Sequence, residues 1–187
     1  MGDFDKNYFE RLIIEKIIAG DEKALEYFFN KKYFSLVNYL YNILNDKHQA
    51  EDIAQEAFII FWENRSNLKI EKYPTAFLFK IARNLSLNYL KKENRKESRE
   101  DIDDEFYPEL AFETPSNFII NKEISLALQR AIKKLPEKRR EIFALSKIAG
   151  LSHEEISQTL NISIQTIKNQ LNRAYAFLKE ELKDMRE

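Results

Sequence analysis

The stretch Ser152–Lys179, SHEEISQTLNISIQTIKNQLNRAYAFLK, has the layout of a short helix followed by a longer one. Ser152, with a Glu three residues later, has the form of a capping box, which marks a helix start. Asn161 is placed to end the first helix, and Ser163 is placed to cap the second. This pattern predicts a helix-turn-helix, although an ordinary helical hairpin fits the same residues.

The longer helix of this pair has two chemically distinct faces. Its apolar residues recur at steps of three and four and must face a core: Ile164, Ile167, Leu171, Ala174 and Leu178. The opposite face is polar and can hydrogen-bond base edges or phosphates in a major groove: Gln165, Thr166, Lys168, Asn169, Asn172 and Arg173. This face predicts DNA binding, with the solvated outer face of a hairpin as the alternative.

The rest of the chain also favours helices over strands. Only three of the 187 residues are Gly and four are Pro, whereas Leu, Ile, Lys, Glu and Asn are abundant. Six helices are predicted before the pair, with bounds set by Gly, Pro and capping residues: up to Gly20, Asp21–Asn45, about 50–64, Pro74–Lys96, Phe118–Leu135 and Pro136–Ala149. The predicted fold class is therefore all-α.

A polar segment divides these helices into two groups. From Glu97 to Ser116 the periodicity lapses, and Glu100–Glu113 holds seven acidic residues and no basic one. Such a composition is typical of an extended, flexible linker. The sequence therefore predicts two small helical domains, 4–96 and 118–187, joined by an acidic linker at 97–117.

The composition argues against an enzyme and implies neither a metal nor a cofactor. The chain has no Cys, which excludes disulfides and thiolate metal sites, and it shows no Gly-rich phosphate loop. His48 is expected in a loop and His153 in the first turn of a helix, both exposed to solvent.

The longest apolar run, Ala57–Trp62, is far shorter than the roughly 20 residues of a membrane-spanning helix. No signal peptide is visible either, so a cytoplasmic protein that is not inserted in a membrane is expected.

The net charge of -1 conceals an uneven distribution along the chain. Between Lys69 and Lys96 there are eight Lys or Arg residues and two Glu. In the fourth predicted helix, four polar side chains form one outer stripe: Lys80, Asn84, Asn88 and Lys91. Lys can contact phosphates and Asn can contact base edges, so this stripe suits single-stranded DNA. An ordinary solvated helix face is the alternative reading.

Three separated segments resemble, in their usual order, the conserved regions of extracytoplasmic-function (ECF) sigma factors of the sigma-70 family. The segment Ala50–Phe58, AEDIAQEAF, followed by Trp62, resembles their polymerase-binding region. Gly20-Asp21 before an aromatic-rich helix resembles the first conserved region, and Leu135-Pro-Glu-Lys with Gly150-Leu-Ser resembles the fourth. The resemblance covers nearly the whole chain, with the acidic linker as the variable part.

The resemblance implies a sigma factor that binds core RNA polymerase and directs promoter-specific transcription initiation, without catalytic activity of its own. One stripe of the third helix would dock on the clamp helices of the largest polymerase subunit: Asp52, Gln55, Glu56, Ile59 and Trp62. Most family members are restrained by an anti-sigma factor, so such a partner is also expected.

The resemblance further divides promoter reading between the two domains. The stripe from Lys80 to Lys91 would read the -10 element, and the loop Arg65–Tyr73 would hold a base flipped from the melted strand. The polar face from Gln165 to Arg173 would read the -35 element as duplex. Many family members carry Asp where this chain has Asn88, which leaves the base preference at that position open.

A conventional activator or repressor is the main alternative function. It would use the C-terminal helix-turn-helix equally well, beside an N-terminal sensing or dimerising domain. It does not account for the Asp52–Trp62 stripe or for the basic fourth helix. Binding to core polymerase that lacks other sigma factors would separate the two functions.

Overall fold

The computed structural model describes residues 3–68, 73–97 and 122–183, and these ranges are helical with short connections. A single 3-10 turn, Arg65–Asn67, follows the third helix. The eight helices of the described ranges have these bounds: α1 Asp3–Ile18, α2 Glu22–Leu44, α3 Lys47–Glu63, α4 Pro74–Glu97, α5 Lys122–Lys133, α6 Glu137–Lys147, α7 His153–Leu160 and α8 Ile164–Glu181. The predicted all-α class is confirmed. None of the helices in these ranges has the length and apolarity needed to cross a membrane.

Aromatic side chains hold α2 and α3 together. Phe28 of α2 stacks on Phe61 of α3, with ring centroids 5.2 Å apart, and meets Phe58 edge-on at 6.2 Å. Phe29 lies 4.7 Å from the same Phe58 ring. Offset and edge-to-face contacts of this kind add to the free energy gained by burying the rings. The relative position of α2 and α3 is therefore fixed along their shared length, and α4 packs against both.

Capping residues set the ends of α2 and the start of α3. The Asp21 carboxylate accepts hydrogen bonds from the backbone N–H groups of Lys23 and Ala24, as expected for a helix N-cap. Asn45 ends α2 in the left-handed region at φ 54°, and the Asp46 carboxylate then caps α3 by accepting from the N–H of Gln49. The break at 45–46 is thus confirmed.

The expected position of His48 is wrong. The sequence placed it in a loop before a helix starting at about residue 50, whereas α3 starts at Lys47 and His48 lies in its first turn, exposed. The reason is the Asp46 cap, because a helix begins directly after the residue whose side chain satisfies its first free N–H groups. His153, in contrast, is the first residue of α7, as expected, although its side chain is half-buried rather than exposed.

The second group of helices forms the predicted helix-turn-helix. Ser152 and Glu155 make a reciprocal capping box at the start of α7, Asn161 ends α7 at φ 54°, and the Ser163 hydroxyl caps α8. The side chains of Leu145, Ile156 and Ile167 are fully buried where α6, α7 and α8 meet. Helix α6 ends two residues before the predicted Ala149, and Gly150 turns the chain at φ 70°. The described part of α5 starts at Lys122, so the predicted start at Phe118 lies outside the described residues.

The two groups of helices pack against each other. Helix α7 lies against α4, and α6 approaches α2. The Tyr39 ring of α2 is fully buried 5.5 Å from the Phe79 ring of α4, and its hydroxyl donates to Glu141 of α6 in the second group. The buried side chains of both groups therefore form one continuous core. The predicted linker 97–117 lies outside the described residues apart from Glu97, the last residue of α4.

We expect Ser152→Ala to lower the free energy of unfolding by about 1 kcal/mol, because it removes the side-chain acceptor for the Glu155 N–H. Urea unfolding monitored by circular dichroism would measure this. The matched control is Gln158→Ala, an exposed position within the same helix, which should change the value by less than about 0.5 kcal/mol. Equal effects of the two variants would show that the capping box does not stabilise α7.

Glu154, next to the capping box, predicts a pH dependence. The pKa of the Glu154 carboxyl is lowered, first by a hydrogen bond from its own backbone N–H and then by one from the Ser152 hydroxyl. Because the folded state favours the charged form, the contribution of Glu154 to stability is present at neutral pH. It should be lost as the pH falls through the acidic range, and Ser152→Ala should reduce this loss.

Candidate nucleic-acid and protein interfaces

Helix α8 presents its polar face to solvent. Ile167, Leu171, Ala174 and Leu178 are buried against the rest of the helix-turn-helix, and Ile164 is half-buried. The six predicted DNA-contacting residues are all exposed on the other side: Gln165, Thr166, Lys168, Asn169, Asn172 and Arg173. The packing therefore brings together one cationic and amide-rich surface on the second helix of a helix-turn-helix, where a major groove would be met.

Two hydrogen bonds order the start of this surface. The Gln165 Nε2 donates to the Asn169 Oδ1 at 3.0 Å, one turn further along α8. The hydroxyls of Ser163 and Thr166 are 2.8 Å apart, beside the capping bond from the Thr166 N–H to the Ser163 hydroxyl. Each amide keeps further donor and acceptor positions free for a base edge.

Two side-chain contacts between α6 and α8 were not predicted from the sequence. The Arg139 Nε donates to the Gln170 Oε1 at 3.1 Å, and the Lys147 Nζ lies 5.5 Å above the Tyr175 ring. Gln170 lies on the flank of α8 between its buried and its exposed face. These contacts fix the orientation of α8 relative to α6, and helical periodicity within α8 gives no signal for them.

Helix α4 carries the second predicted surface. Lys80, Asn84, Asn88 and Lys91 are all exposed along one stripe, at steps of four, four and three residues. Behind them Leu78 and Ala82 are fully buried, while Ile81, Leu85 and Tyr89 are half-buried. The stripe thus has amides in its middle and a cation towards each end, which suits a strand whose phosphates and bases face the helix.

Two exposed aromatic side chains extend this stripe towards the start of α4. Tyr73 is 41% exposed and Phe77 is 37% exposed, and their spacing from Lys80 and Asn84 places them on the same side of the helix. The Phe77 ring also lies 6.2 Å from Phe61 in the core. Unpaired bases stack on aromatic rings, so these residues belong to the candidate surface. Extending the three- and four-residue spacing upstream of Lys80 would have found them in the sequence.

The predicted base-holding loop is only partly described. Arg65–Leu68 and Tyr73 are within the structure, and residues 69–72 lie outside the described ranges. The assignment of this loop to a flipped base therefore stays a prediction.

The third predicted surface lies on α3. Asp52, Gln55, Glu56 and Ile59 are exposed, and the Ile59 side chain is 58% exposed, the highest fraction among the exposed large apolar residues of the described ranges. An apolar side chain flanked by carboxylates and an amide is a composition typical of a protein interface.

Trp62, the fifth residue of this set, is half-buried and is held by Arg65. The Arg65 guanidinium lies over the indole ring with its Cζ 4.2 Å from the ring centroid, and its Nη1 donates to the Trp62 carbonyl at 3.0 Å. Arg65 also faces the turn at Gly20, which has φ 87°. Trp62 is thus a partly packed side chain whose orientation is fixed by a neighbouring cation, rather than a freely projecting one.

No cluster of three or more His, Cys, Asp or Glu side chains within 3–68, 73–97 and 122–183 is arranged to hold a metal ion.

The sequence matches two family profiles. The profile described as "Sigma-70 region 2" matches residues 30–96, and the one described as "Sigma-70, region 4" matches residues 125–178. The first match includes α3 and all but the last residue of α4, and the second includes α6, α7 and all but the last three residues of α8. All three candidate surfaces lie inside these two matches.

Curated relatives align over almost the whole chain. "ECF RNA polymerase sigma factor SigW" of Bacillus subtilis (strain 168) is 30% identical over 182 residues, covering 92% of this chain and 96% of the relative. "ECF RNA polymerase sigma-E factor" of Escherichia coli (strain K12) is 26% identical over 172 residues, covering 88% of this chain and 90% of the relative.

Two solved structures share the fold. CnrH in complex with the cytosolic domain of CnrY has a TM-score of 0.65 at 18% identity, covering 93% of this chain and 97% of that one. The sigma factor RpoE in complex with the anti-sigma factor NepR, from Bartonella quintana, has a TM-score of 0.66 at 21% identity, covering 86% and 98%.

We expect Arg65→Ala to shift the fluorescence emission of Trp62 to longer wavelength and to increase its quenching by acrylamide. The chain has one tryptophan, so the signal reports on this residue alone. Removing the guanidinium uncovers the ring to water. Arg130→Ala, at an exposed position on α5, is the control and should leave the emission unchanged. An unaltered spectrum in Arg65→Ala would mean that Arg65 does not hold the indole in solution.

Proposed function

This chain belongs to the ECF group of the sigma-70 family, and we propose that it binds core RNA polymerase and directs it to promoters by reading their -10 and -35 elements. The observation that carries the proposal is the exposure of three separate polar stripes, on α3, α4 and α8, in a family of transcription initiation factors. Each stripe has the chemistry of a different target.

The proposed division of labour follows the two groups of helices. Residues 4–96 would bind polymerase and melt and read the -10 element, 97–117 would connect, and 118–187 would read the -35 element. In support, the two family matches fall on either side of this connecting segment. In the structure the two domains also contact each other, because α7 packs against α4.

Polymerase binding is assigned to the α3 stripe. Ile59 and Trp62 supply apolar contact area, while Asp52 and Glu56 supply charges for basic groups on the clamp helices. Buried apolar and aromatic anchors contribute most of the affinity at protein interfaces, and peripheral charges contribute orientation and association rate. Arg65 already restricts the Trp62 ring in the free protein, so binding of Trp62 to polymerase would cost less side-chain entropy.

Promoter reading is assigned to α4 and α8. The α8 face would enter the major groove of the -35 element, where Arg173 and Lys168 can contact guanine or phosphate and the amides can contact adenine. The α4 stripe would follow the unpaired strand of the -10 element, with Asn84 and Asn88 at base edges and Lys80 and Lys91 at phosphates.

The proposal has three further parts: the protein is controlled by an anti-sigma factor, it acts in the cytoplasm, and it has no catalytic activity. A structural relative, RpoE of Bartonella quintana, forms a complex with the anti-sigma factor NepR. The curated relatives are polymerase sigma factors, which act where the polymerase is, and their role is to direct the polymerase rather than to perform chemistry. No cofactor is required for any of these steps.

We expect Ile59→Ser to weaken binding to core polymerase about tenfold or more, because burying an Ile side chain contributes about 1.5–3 kcal/mol. Trp62→Ala should cost about 2 kcal/mol or more. Fluorescence anisotropy of the labelled protein with core polymerase would measure both. Ile59 is exposed, so its variant should keep the wild-type unfolding midpoint, and Lys23→Ala on α2 is the control surface change. Wild-type affinity in Ile59→Ser would remove the α3 stripe from the interface.

We expect Arg173→Ala and Asn84→Ala to affect different stages of initiation. If Arg173 reads a base, Arg173→Ala should weaken binding to duplex promoter by about 1–3 kcal/mol and relax selectivity at one -35 position. If Arg173 touches only phosphate, binding should fall for all sequences and its salt dependence should decrease. Asn84→Ala should spare duplex binding and impair open-complex formation.

A promoter whose -10 region is already mismatched separates these effects, because the free energy of melting is then removed while the bases must still be read. On this template Asn84→Ala should show altered sensitivity to -10 bases, and Arg173→Ala should respond only to changes in the -35 element. Both side chains are exposed, so each variant serves as the folding control for the other. Loss of -35 binding in Asn84→Ala, or an altered -10 preference in Arg173→Ala, would contradict the assignment.

A further inference from the structure

A lysine of α6 and a tyrosine of α8 meet at the edge of the polar α8 surface. The Lys147 Nζ lies 5.5 Å from the centroid of the Tyr175 ring. On its other side the Tyr175 ring meets the buried Phe143 ring of α6 edge-on, with centroids 6.1 Å apart. Lys147 and Tyr175 are nevertheless both exposed, Tyr175 to 43%. The pair is therefore held in position and is still accessible to a ligand.

Tyr175 lies on the same side of α8 as two exposed lysines. Lys168 is seven residues before it and Lys179 is four residues after it, which are spacings that place side chains above one another on a helix. The segment Ser163–Lys179 contains no Asp or Glu. Together with Lys147 of α6, these residues form a stripe of three positive charges and one phenol, which we call the flank stripe.

One acidic group faces the flank stripe from α7. The pKa of the Glu154 carboxyl is lowered first by its own backbone N–H and by the Ser152 hydroxyl, and then by the charges of His153 and Lys168. Lys168 thus lies near the start of α7, which the chain reaches a few residues after Lys147 at the end of α6. The Glu154 carboxylate is already engaged at the helix start, and three lysines outnumber it, so the flank stripe remains positively charged.

The width of the DNA major groove decides what the flank stripe would meet. The groove is about 12 Å wide and a helix with its side chains is about 10–12 Å across, so a helix lying in the groove fills it. Residues in the middle of its outer face then reach bases, and residues to the side reach backbone phosphates. Tyr175 lies about a quarter turn around α8 from the line of Gln165, Asn169 and Asn172. The flank stripe would therefore face one wall of the groove.

We propose that Lys147 and Tyr175 form a phosphate-binding pair, which contacts the backbone of one DNA strand beside the bases that α8 reads. The proposal rests on the proposed function, because it takes α8 to lie in a major groove. Lys147 would supply a charge and the Tyr175 hydroxyl a hydrogen bond to the phosphate. The Tyr175 ring already holds the ammonium group in the free protein, so phosphate binding would cost less side-chain freedom. The end of α6 thereby becomes part of the DNA interface.

The salt dependence of duplex binding tests the charge of Lys147. Full-length protein would be titrated onto a short DNA duplex of mixed sequence, with binding followed by fluorescence anisotropy. Each phosphate that a cation contacts contributes about 0.9 to the slope of log K against log salt concentration. Raising the salt from about 50 to about 200 mM should therefore weaken the wild-type protein about 3.5-fold more than Lys147→Gln. Lys147→Arg keeps the charge and should keep the wild-type slope.

The matched control for this substitution is on the same helix. Lys138 is exposed, and it lies nine residues before Lys147 and so on the opposite side of α6. Lys138→Gln removes the same charge away from the flank stripe. It should leave both the affinity for the duplex and its salt dependence at their wild-type values.

Two substitutions separate the hydroxyl of Tyr175 from its ring. Tyr175→Phe keeps the ring contacts with Phe143 and Lys147 and loses the hydroxyl, so it should weaken binding to every duplex about tenfold without changing the salt slope. Tyr175→Leu also releases the lysine, so its binding should be weaker still. The unfolding midpoint of Tyr175→Phe should equal that of the wild-type protein, because the ring stays packed.

Several results would overturn the inference. They are a wild-type salt slope in Lys147→Gln, an equal loss in Lys138→Gln, and a wild-type protein that binds no duplex. A changed preference among duplex sequences in Lys147→Gln, with the slope unaltered, would show that the pair only orients α8 against α6. Failure to bind core polymerase, or to select any -35 sequence, would instead refute the proposed function. The two failures are distinguishable, because the salt slope on mixed-sequence DNA requires neither polymerase nor a promoter.

Discussion

The burial of helix α4 is the constraint on which the rest of the structure depends. One face packs on α2 and α3 through Leu78, Phe79 and Ala82, and a neighbouring face meets α7 at Ala76. The surface that this packing leaves to solvent includes the stripe of Lys80, Asn84, Asn88 and Lys91, continued by the exposed rings of Phe77 and of Tyr73 just before the helix. What α4 can contact is therefore decided by what it has already buried.

The α3 surface depends on α4 through shared packing, and the α8 surface is connected to α4 through α7, which contacts both helices. The cluster of Phe28, Phe58 and Phe61 fixes α3 against α2, and Phe77 at the start of α4 reaches the same cluster. The α3 stripe and the α4 stripe are therefore held in a fixed relation by one set of rings. Helix α8 is oriented by α6 through Arg139 and Gln170. Packed helices therefore fix the positions of all three surfaces, and the exposed side chains determine what each surface can bind.

Much of the fold could be predicted from the sequence because its signals are local. Asp21, Ser152 and Ser163 each cap the helix that follows, and Asn161 ends a helix in a conformation that Asn tolerates better than most residues. The exposed stripes follow from three- and four-residue spacing. The start of α3 was misplaced, since one Asp at position 46 decides it and the apolar pattern begins later, and α6 ends two residues before the predicted Ala149. The contacts among Tyr39, Arg83 and Glu141 could not be predicted, because periodicity within one helix does not identify a partner 58 or 102 residues away.

The bond between Gln165 and Asn169 gives the α8 surface a property of its own. In the free protein this bond already pairs one N–H of Gln165 with one lone pair of the Asn169 oxygen, while the other amide positions stay open to a further partner. A base edge with a matching donor and acceptor replaces the lost bond, and the exchange is close to neutral in free energy. A base edge that matches only one of them leaves the other amide unpaired at a surface from which water has been removed. In the proposed DNA complex this bond would therefore compete with the base edge, and a mismatched base edge would be disfavoured more strongly than a matched one is favoured.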